Sequence, residues 1–298
     1  MKLGTVLGRS RDDGFILPTV LWVLSLLSLV VLAIGAAQRL DVRAQANLIK
    51  SEQARLLVDG MARAAASRLA TDNPGAFGRS GTWFECSEGR TNYAIMVTDV
   101  AGLVDLNASP LDDFSVVLRG LGLEPQRAIA LAHEIIDARD ADDTTLSGEH
   151  EGAAYSRAGL SFGPKNLPFE STAELDQLPG MSPDILTRLE PLVTVHSRRP
   201  AIDQRLAPEE LRQILERGQD RRGVIAPIVE PEARSRVQEI RVLVETADGA
   251  RAARHLVVEM DVRSNKGFRL NEWRSLPNPA RRPTRGDDIG SSCFGVAP

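Results

Sequence analysis

Between Phe15 and Gln38 the chain carries no charged side chain; the run reads FILPTVLWVLSLLSLVVLAIGAAQ. This stretch constrains the fold more than any other. From Phe15 to Ala37, ~1.5 Å of helical rise per residue gives roughly 34 Å. The hydrocarbon core of a bilayer is about 30 Å thick, so the segment spans it once as a helix. No other stretch is comparable, so the rest of the chain is expected on one side of the membrane. The h-region of a cleaved signal peptide is only about 7–15 residues, shorter than this run. A plain signal anchor is the alternative.

The flanks add to this. Before the run stands a polar leader, MKLGTVLGRSRDDG, with Lys2, Arg9 and Arg11, ending in Gly14. Basic residues favour a cytoplasmic N-terminus, and Asp12 and Asp13 count little against them. After the run, residues 39–70 contain no Pro and a single Gly, Gly60. They are mostly strong helix formers, with Ile49, Leu56, Leu57, Met61, Ala64, Ala65 and Leu69 at helical spacing. Asn73-Pro74-Gly75 then breaks the pattern. The expectation is one helix of about 55 residues, lipid-compatible over 15–38 and amphipathic over 39–72.

Leader, Gly14, Phe15 and long apolar helix together resemble type IV pilins and the pseudopilins of type II secretion. The resemblance implies cleavage between Gly14 and Phe15 by a prepilin peptidase, with N-methylation of Phe15. Most pilins carry Glu at the fifth mature position; here that residue is Thr19. The K subunit of the pseudopilins characteristically lacks this Glu, so the departure agrees with one branch.

The charges are uneven. Net charge is −4 overall, yet residues 109–196 hold 15 acidic against 6 basic side chains, net −9. Such a balance opposes binding to nucleic acid by phosphate neutralisation. The flanks of this segment read as β. Tyr93–Asp99 partly alternates, and Gly102–Asn107 follows a turn. Val237–Glu245 leads to a hairpin signal at Asp248-Gly249. Ala253–Val262 returns, and Phe268–Trp273 forms a last strand. The fold class expected is α+β: a pilin-like long helix packed on an antiparallel sheet (73–108 and 197–276), interrupted by a mainly helical insertion (109–196). The tail, 277–298, is rich in Pro, Arg and Gly, a composition that leaves a chain flexible unless Cys293 ties it down.

Within the insertion, Leu111–Leu121 and Glu124–Asp137 repeat apolar residues at helical spacing. Ser171-Thr-Ala-Glu174 is a capping-box signal, and Pro183 opens a helix through Leu189. Val104-Asp-Leu-Asn-Ala108, Lys165-Asn-Leu-Pro-Phe169, Leu178-Pro-Gly-Met181 and Leu189-Glu-Pro-Leu-Val-Thr-Val195 resemble the general secretion pathway protein K family, the largest minor pseudopilin. The resemblance implies an inner-membrane, single-pass protein with a cytoplasmic N-terminus and a periplasmic globular part. It implies a place at the pseudopilus tip, priming assembly for protein export. Its partners would be the I- and J-type minor pseudopilins, the major pseudopilin, the inner-membrane assembly platform and prepilin peptidase. A type IV pilus minor pilin for adhesion or DNA uptake is the alternative. The same segments resemble helix–hairpin–helix DNA-binding modules. There a second Gly lets backbone amides approach phosphate, but here Ser182 stands in its place, among acidic neighbours.

The acidic segment Asp137 to Glu151 carries Asp140, Asp142, Asp143, Glu149 and Glu151. Clustered carboxylates are hard oxygen donors that suit calcium, and crowding them without a cation costs repulsion. A solvated acidic loop is the alternative. The K family resemblance implies calcium here. Its pattern Asp-Trp-Arg-Asp-Ala-Asp is matched at Asp137, Arg139, Asp140, Ala141 and Asp142, with Ala138 in place of Trp. Cys86 and Cys293 pair if the compartment is oxidising and stay thiols otherwise. The four His show no zinc spacing. No nucleophile elbow, P-loop or dinucleotide fingerprint occurs, so no enzyme is expected.

Overall fold

The computed structural model describes residues 16–71, 77–142, 144, 150–220, 235–261, 263, 267–276, 289–290 and 293. The long helix α1 runs without interruption from Ile16 to Ala70. The chain divides into two compact units, Met1–Gln53 and Ala54–Pro298.

In the first unit, the described residues belong to α1. Pro18 sits in its first turn, where a missing N–H costs nothing. The window Leu17–Ile34 has a mean hydropathy of 2.5 and buries none of its side chains within the protein. Leaving this much apolar surface in water would be costly; a bilayer removes that cost. Ser25 donates its hydroxyl to the Leu21 carbonyl at 2.8 Å, which gives this polar group a partner within the helix itself.

The second unit holds a six-stranded sheet. Its strands are β1 (Trp83–Glu88), β2 (Thr91–Asp99), β5 (Val237–Thr246), β6 (Arg251–Met260), β7 (Phe268–Ser275) and β8 (Ile289–Gly290). The order is β7-β6-β5-β2-β1-β8. All pairings are antiparallel except β1 with β8. One sheet face packs on α1, where Ala54, Val58, Ala62, Ala65, Ala66 and Leu69 meet Ile95, Val97, Ile240, Val242, Leu256 and Val258. The alanines let helix and sheet approach closely. A half-buried ion pair links helix and sheet, with Arg254 Nε donating to Asp59 Oδ1 at 2.6 Å. The Arg254 and Arg63 guanidinium groups lie 5.3 and 5.1 Å from the Trp273 ring centroid. Gly249, at φ +83°, supplies the left-handed turn of the β5–β6 hairpin that only Gly adopts freely.

Two strand expectations change. β1 was not anticipated from WFECSE. The Gly102–Asn107 segment does not join the main sheet. After β2 a 3₁₀ turn, Val100–Gly102, redirects the chain. Only β3 (Val104–Asp105) follows, and it pairs in parallel with β4 (Val193–Thr194). The redirection needs Gly102, because a Cβ there would lie 2.3 Å from the Leu206 backbone.

β3 and β4 form the neck of the insertion. The buried Asp105 side chain gathers the neck by accepting from Asn107 N (2.8 Å), Ala108 N (3.0 Å), Arg198 N (2.7 Å) and Ser197 Oγ (3.0 Å). The insertion contains α2 (Leu111–Gly120), α3 (Pro125–Arg139), α4 (Gly152–Arg157), a 3₁₀ helix (Thr172–Gln177) and α5 (Pro183–Leu189). The capping box of Ser171 and Glu174 is present at the 3₁₀ helix. These elements enclose their own apolar core around Phe114, Leu118, Leu131, Ile135, Leu175 and Leu189. α6 (Glu209–Asp220) brings Leu211, Ile214 and Leu215 into the same core. Packing of the insertion thus extends past residue 196, where the sequence reading ended it.

In the tail, 277–298, the exception of anchoring at Cys293 is met, and three residues are described. Ile289 and Gly290 pair with Glu85 and Cys86 on β1, and Cys293 is buried. The Cys293 N–H donates to Glu88 Oε1 at 3.0 Å. The remaining tail residues lie outside the described set.

Candidate functional site

The last turn of α3 and the start of α4 face each other across an acidic loop. Asp137 stands on α3, Asp140 caps its C-terminal end, and Glu151 precedes α4. One carboxylate oxygen from each lies within 4.8 Å of the others. Asp137 is 8% exposed and Glu151 2%. Asp137 Oδ1 and Asp140 Oδ1 are buried with no hydrogen-bond donor among the described residues. Buried anionic oxygens normally have partners, and uncompensated ones are expensive.

The local potential is strongly negative. Burial, then the charges of Asp140 and Asp142, push the Asp137 carboxyl above its ordinary range, against a smaller opposing pull from His133. Burial and Asp142 do the same to Asp140, outweighing Arg139. Burial, with help from Asp137, raises Glu134 despite its backbone hydrogen bond. The Tyr155 hydroxyl is pushed up to about 12 by burial and by Glu134, Glu151 and Asp137. A cleft of about 340 Å³ adjoins the carboxylates, lined by Ile129, His133, Glu134, Asp137, Glu151 and Tyr155 among others. A hard cation with several oxygen ligands would offset this crowding, since the three carboxylates offer buried oxygens at suitable separations.

Among the residues singled out from sequence, Asp140 and Glu151 come together. Asp142 lies beside them, but its Oδ1 accepts the Thr144 N–H at 2.9 Å. Asp143 and Glu149 lie outside the described residues, as do Gly14 and Phe15. Asp137, part of the acidic segment and of the family pattern but not among the residues singled out for calcium, lies one helical turn before Asp140, so the two carboxylates reach the same spot. Ala138, where the family pattern has Trp, is buried in the insertion core.

The Leu178–Met181 turn is occupied by the protein itself. The Gly180 N–H donates to Glu134 Oε2 at 2.7 Å. A Cβ at Gly180 would sit 2.8 Å from Glu134 Oε1, so a larger residue there would push the carboxylate aside. The amide that would face a phosphate in a DNA-binding hairpin here faces a carboxylate.

Cys86 on β1 and Cys293 are joined by a disulfide, with Cα atoms 4.9 Å apart across 207 positions of sequence.

Residues 98–198 match the family model for type II secretion system protein K. That span runs from the end of β2 through the whole neck and the helices α2 to α5. A chain of the crystal structure of the GspK-GspI-GspJ complex from the enterotoxigenic Escherichia coli type 2 secretion system has a similar fold. Its TM-score is 0.56 at 13% identity, covering 80% of this chain and 99% of that chain. No curated protein matches. Over its neck and insertion the chain is similar to type II secretion system protein K, and its fold is similar to that of the chain in the K, I and J complex.

Proposed function

We propose that the chain works at the tip of the pseudopilus, joining I- and J-type minor pseudopilins and priming assembly for protein export. One observation carries this reading: a scaffold of one long helix on a sheet bears a bulky insertion with its own core. A subunit in mid-filament must accept another above it, and such a head is an obstacle there. The similar solved structure is titled as a complex of K with I and J, which supports those partners. A type IV pilus role is not favoured, because the family match falls on the insertion.

The apolar half of α1 is a single-pass inner-membrane anchor in this reading, with Ala54 onward in the periplasm. Disulfide formation between Cys86 and Cys293 fits an oxidising compartment. Processing follows the leader: cleavage between Gly14 and Phe15 by prepilin peptidase, then methylation of Phe15. Intact-mass analysis of chain extracted from membranes is expected to give Phe15 as the methylated first residue. A chain that still begins at Met1 when prepilin peptidase is present would count against the reading.

In the insertion, Asp137, Asp140 and Glu151 hold calcium, with Asp142 alongside. The support is the pair of buried, unpartnered oxygens on Asp137 and Asp140. Calcium would tie the end of α3 to the start of α4. The cation's role is structural: it neutralises the loop and fixes the shape of the head that meets the partners.

A further inference from the structure

The two apolar cores of the second unit do not merge. Between the insertion core and the sheet–α1 core, the sheet face that includes buried Met96 and Val257 carries a cluster of charged side chains. His255 on β6 is at its centre, 3% exposed. Its Nε2 is 3.5 Å from Glu239 Oε2 on β5, and its Nδ1 is 3.7 Å from Glu272 Oε1 on β7. Glu239 also faces Arg241 at 3.8 Å.

The insertion side reaches into this cluster at three places. His196, just beyond β4, sets Nε2 3.3 Å from Glu272 Oε2. Glu190, at the end of α5, accepts from Arg274 of β7 at 2.7 Å. Arg241 reaches the Glu190 carbonyl at 3.4 Å, while Arg274 reaches Thr172 Oγ1 at 3.5 Å. Glu272 is therefore shared by His255 of the sheet, His196 of the insertion side and Arg274.

We propose that this cluster is a proton-controlled joint: protonated His255 keeps the insertion seated on the sheet, and loss of that proton frees the insertion while both apolar cores stay folded. Three cations, His255, Arg241 and Arg274, face three carboxylates, Glu239, Glu272 and Glu190. Removing the His255 charge leaves Glu239, 4% exposed, facing Arg241 at ion-pair range without its imidazolium. Breaking a buried pair by removing one partner is strongly unfavourable. Glu272 loses one of the cations that fix it between His196 and Arg274. Seams of polar groups between separate cores are also where domains move.

The direction of the pH effect follows from the shifts. Burial alone would lower the His255 imidazole, but Glu239 and Glu272 carry it above its ordinary 6.5. Its contribution is complete below 6.5 and is lost as pH climbs through the raised value. Against the cost of burial, His255 and Arg241 hold Glu239 below its ordinary 4.5. Burial also opposes ionisation of Glu272, but His196, His255 and Arg274 hold it well below the same value. Those contributions are lost only on acidification below 4.5. The joint is tightest between the two limits and opens on the alkaline side.

Hydrogen exchange by mass spectrometry on the full chain in detergent micelles, from pH 6 to 9.5 and corrected for chemical exchange rates, tests this. Peptides covering 186–199 and 268–276 are expected to lose protection on the order of 100-fold as pH rises. Peptides from α2, α3 and β2 should hold theirs. His255→Gln is expected to show the open seam at every pH, with most of the pH response gone. The proposal is overturned by a flat wild-type seam, by cores that open together with the seam, or by His255→Gln keeping the wild-type profile. If that variant does not fold, the wild-type series decides alone.

Discussion

Replacing Cys293 with Ser is expected to destabilise the second unit by about 2–5 kcal/mol, or roughly 5–15 °C in Tm. The Cys86–Cys293 bond spans 207 positions, so it removes a large loop entropy from the unfolded chain. It also holds Ile289–Gly290 against β1, covering part of an otherwise open sheet edge. Around it, Arg68 of α1 donates to the Cys293 carbonyl at 3.4 Å, and Cys293 N–H donates to Glu88. Losing the covalent link therefore loosens a helix contact and an edge strand together. Thermal melts of the full chain in detergent, followed by near-ultraviolet circular dichroism, read the effect. Reduction of the wild type should reproduce it, and Cys86→Ser added to Cys293→Ser should add little. An unchanged melting point in the oxidised and reduced wild type would contradict this account of the tail.

The second large effect concerns the carboxylates, and its sign reverses with conditions. In chelator, Asp137→Asn is expected to raise stability by about 1 kcal/mol, because it removes one of several crowded buried charges. With calcium at about a hundred times its dissociation constant, the wild type should gain about 2.7 kcal/mol. Asp137→Asn should gain little of this. The two melting curves therefore cross as calcium is added. Asp142→Asn is expected to keep most of the response, because its Oδ1 is already engaged by Thr144 N–H. No calcium shift in the wild type would remove the metal from the account and leave the acidic loop as a solvated surface.

Much of the architecture is legible from local pattern. The charge-free run, the helical spacing past Arg39 and the break at Asn73-Pro74-Gly75 define α1 almost to the residue. Alternation and the Asp248-Gly249 turn mark the β5–β6 hairpin. The capping box at Ser171 and the Pro183 start are local signals, and both elements form there. What escapes is set by non-local packing. β1 is six residues whose strand character comes from pairing with β2 rather than from its own alternation. α6 carries Leu211, Ile214 and Leu215 at helical spacing, but only the fold shows that they complete the insertion core. β3 leaves the main sheet because Gly102 turns the chain against Leu206, a contact invisible in sequence.

The site was legible in part for the same reason. A run of carboxylates is visible in one dimension, but which of them converge depends on where α3 ends. Asp137 looks like one more helix residue until α4 brings Glu151 beside it. The pairing of Glu134 with Gly180, across 46 positions, has no local signal. Nor does the His255 cluster, whose members come from β5, β6, β7 and the insertion.

The central claim is that this chain is a K-type subunit acting with I- and J-type partners, and co-purification tests it most directly. The full chain is co-expressed with the I- and J-type minor pseudopilins, extracted in detergent and sized by light scattering. The account predicts a stable complex with one copy of each subunit, lost when the insertion is deleted. A chain that stays monomeric beside folded I- and J-type partners would contradict it.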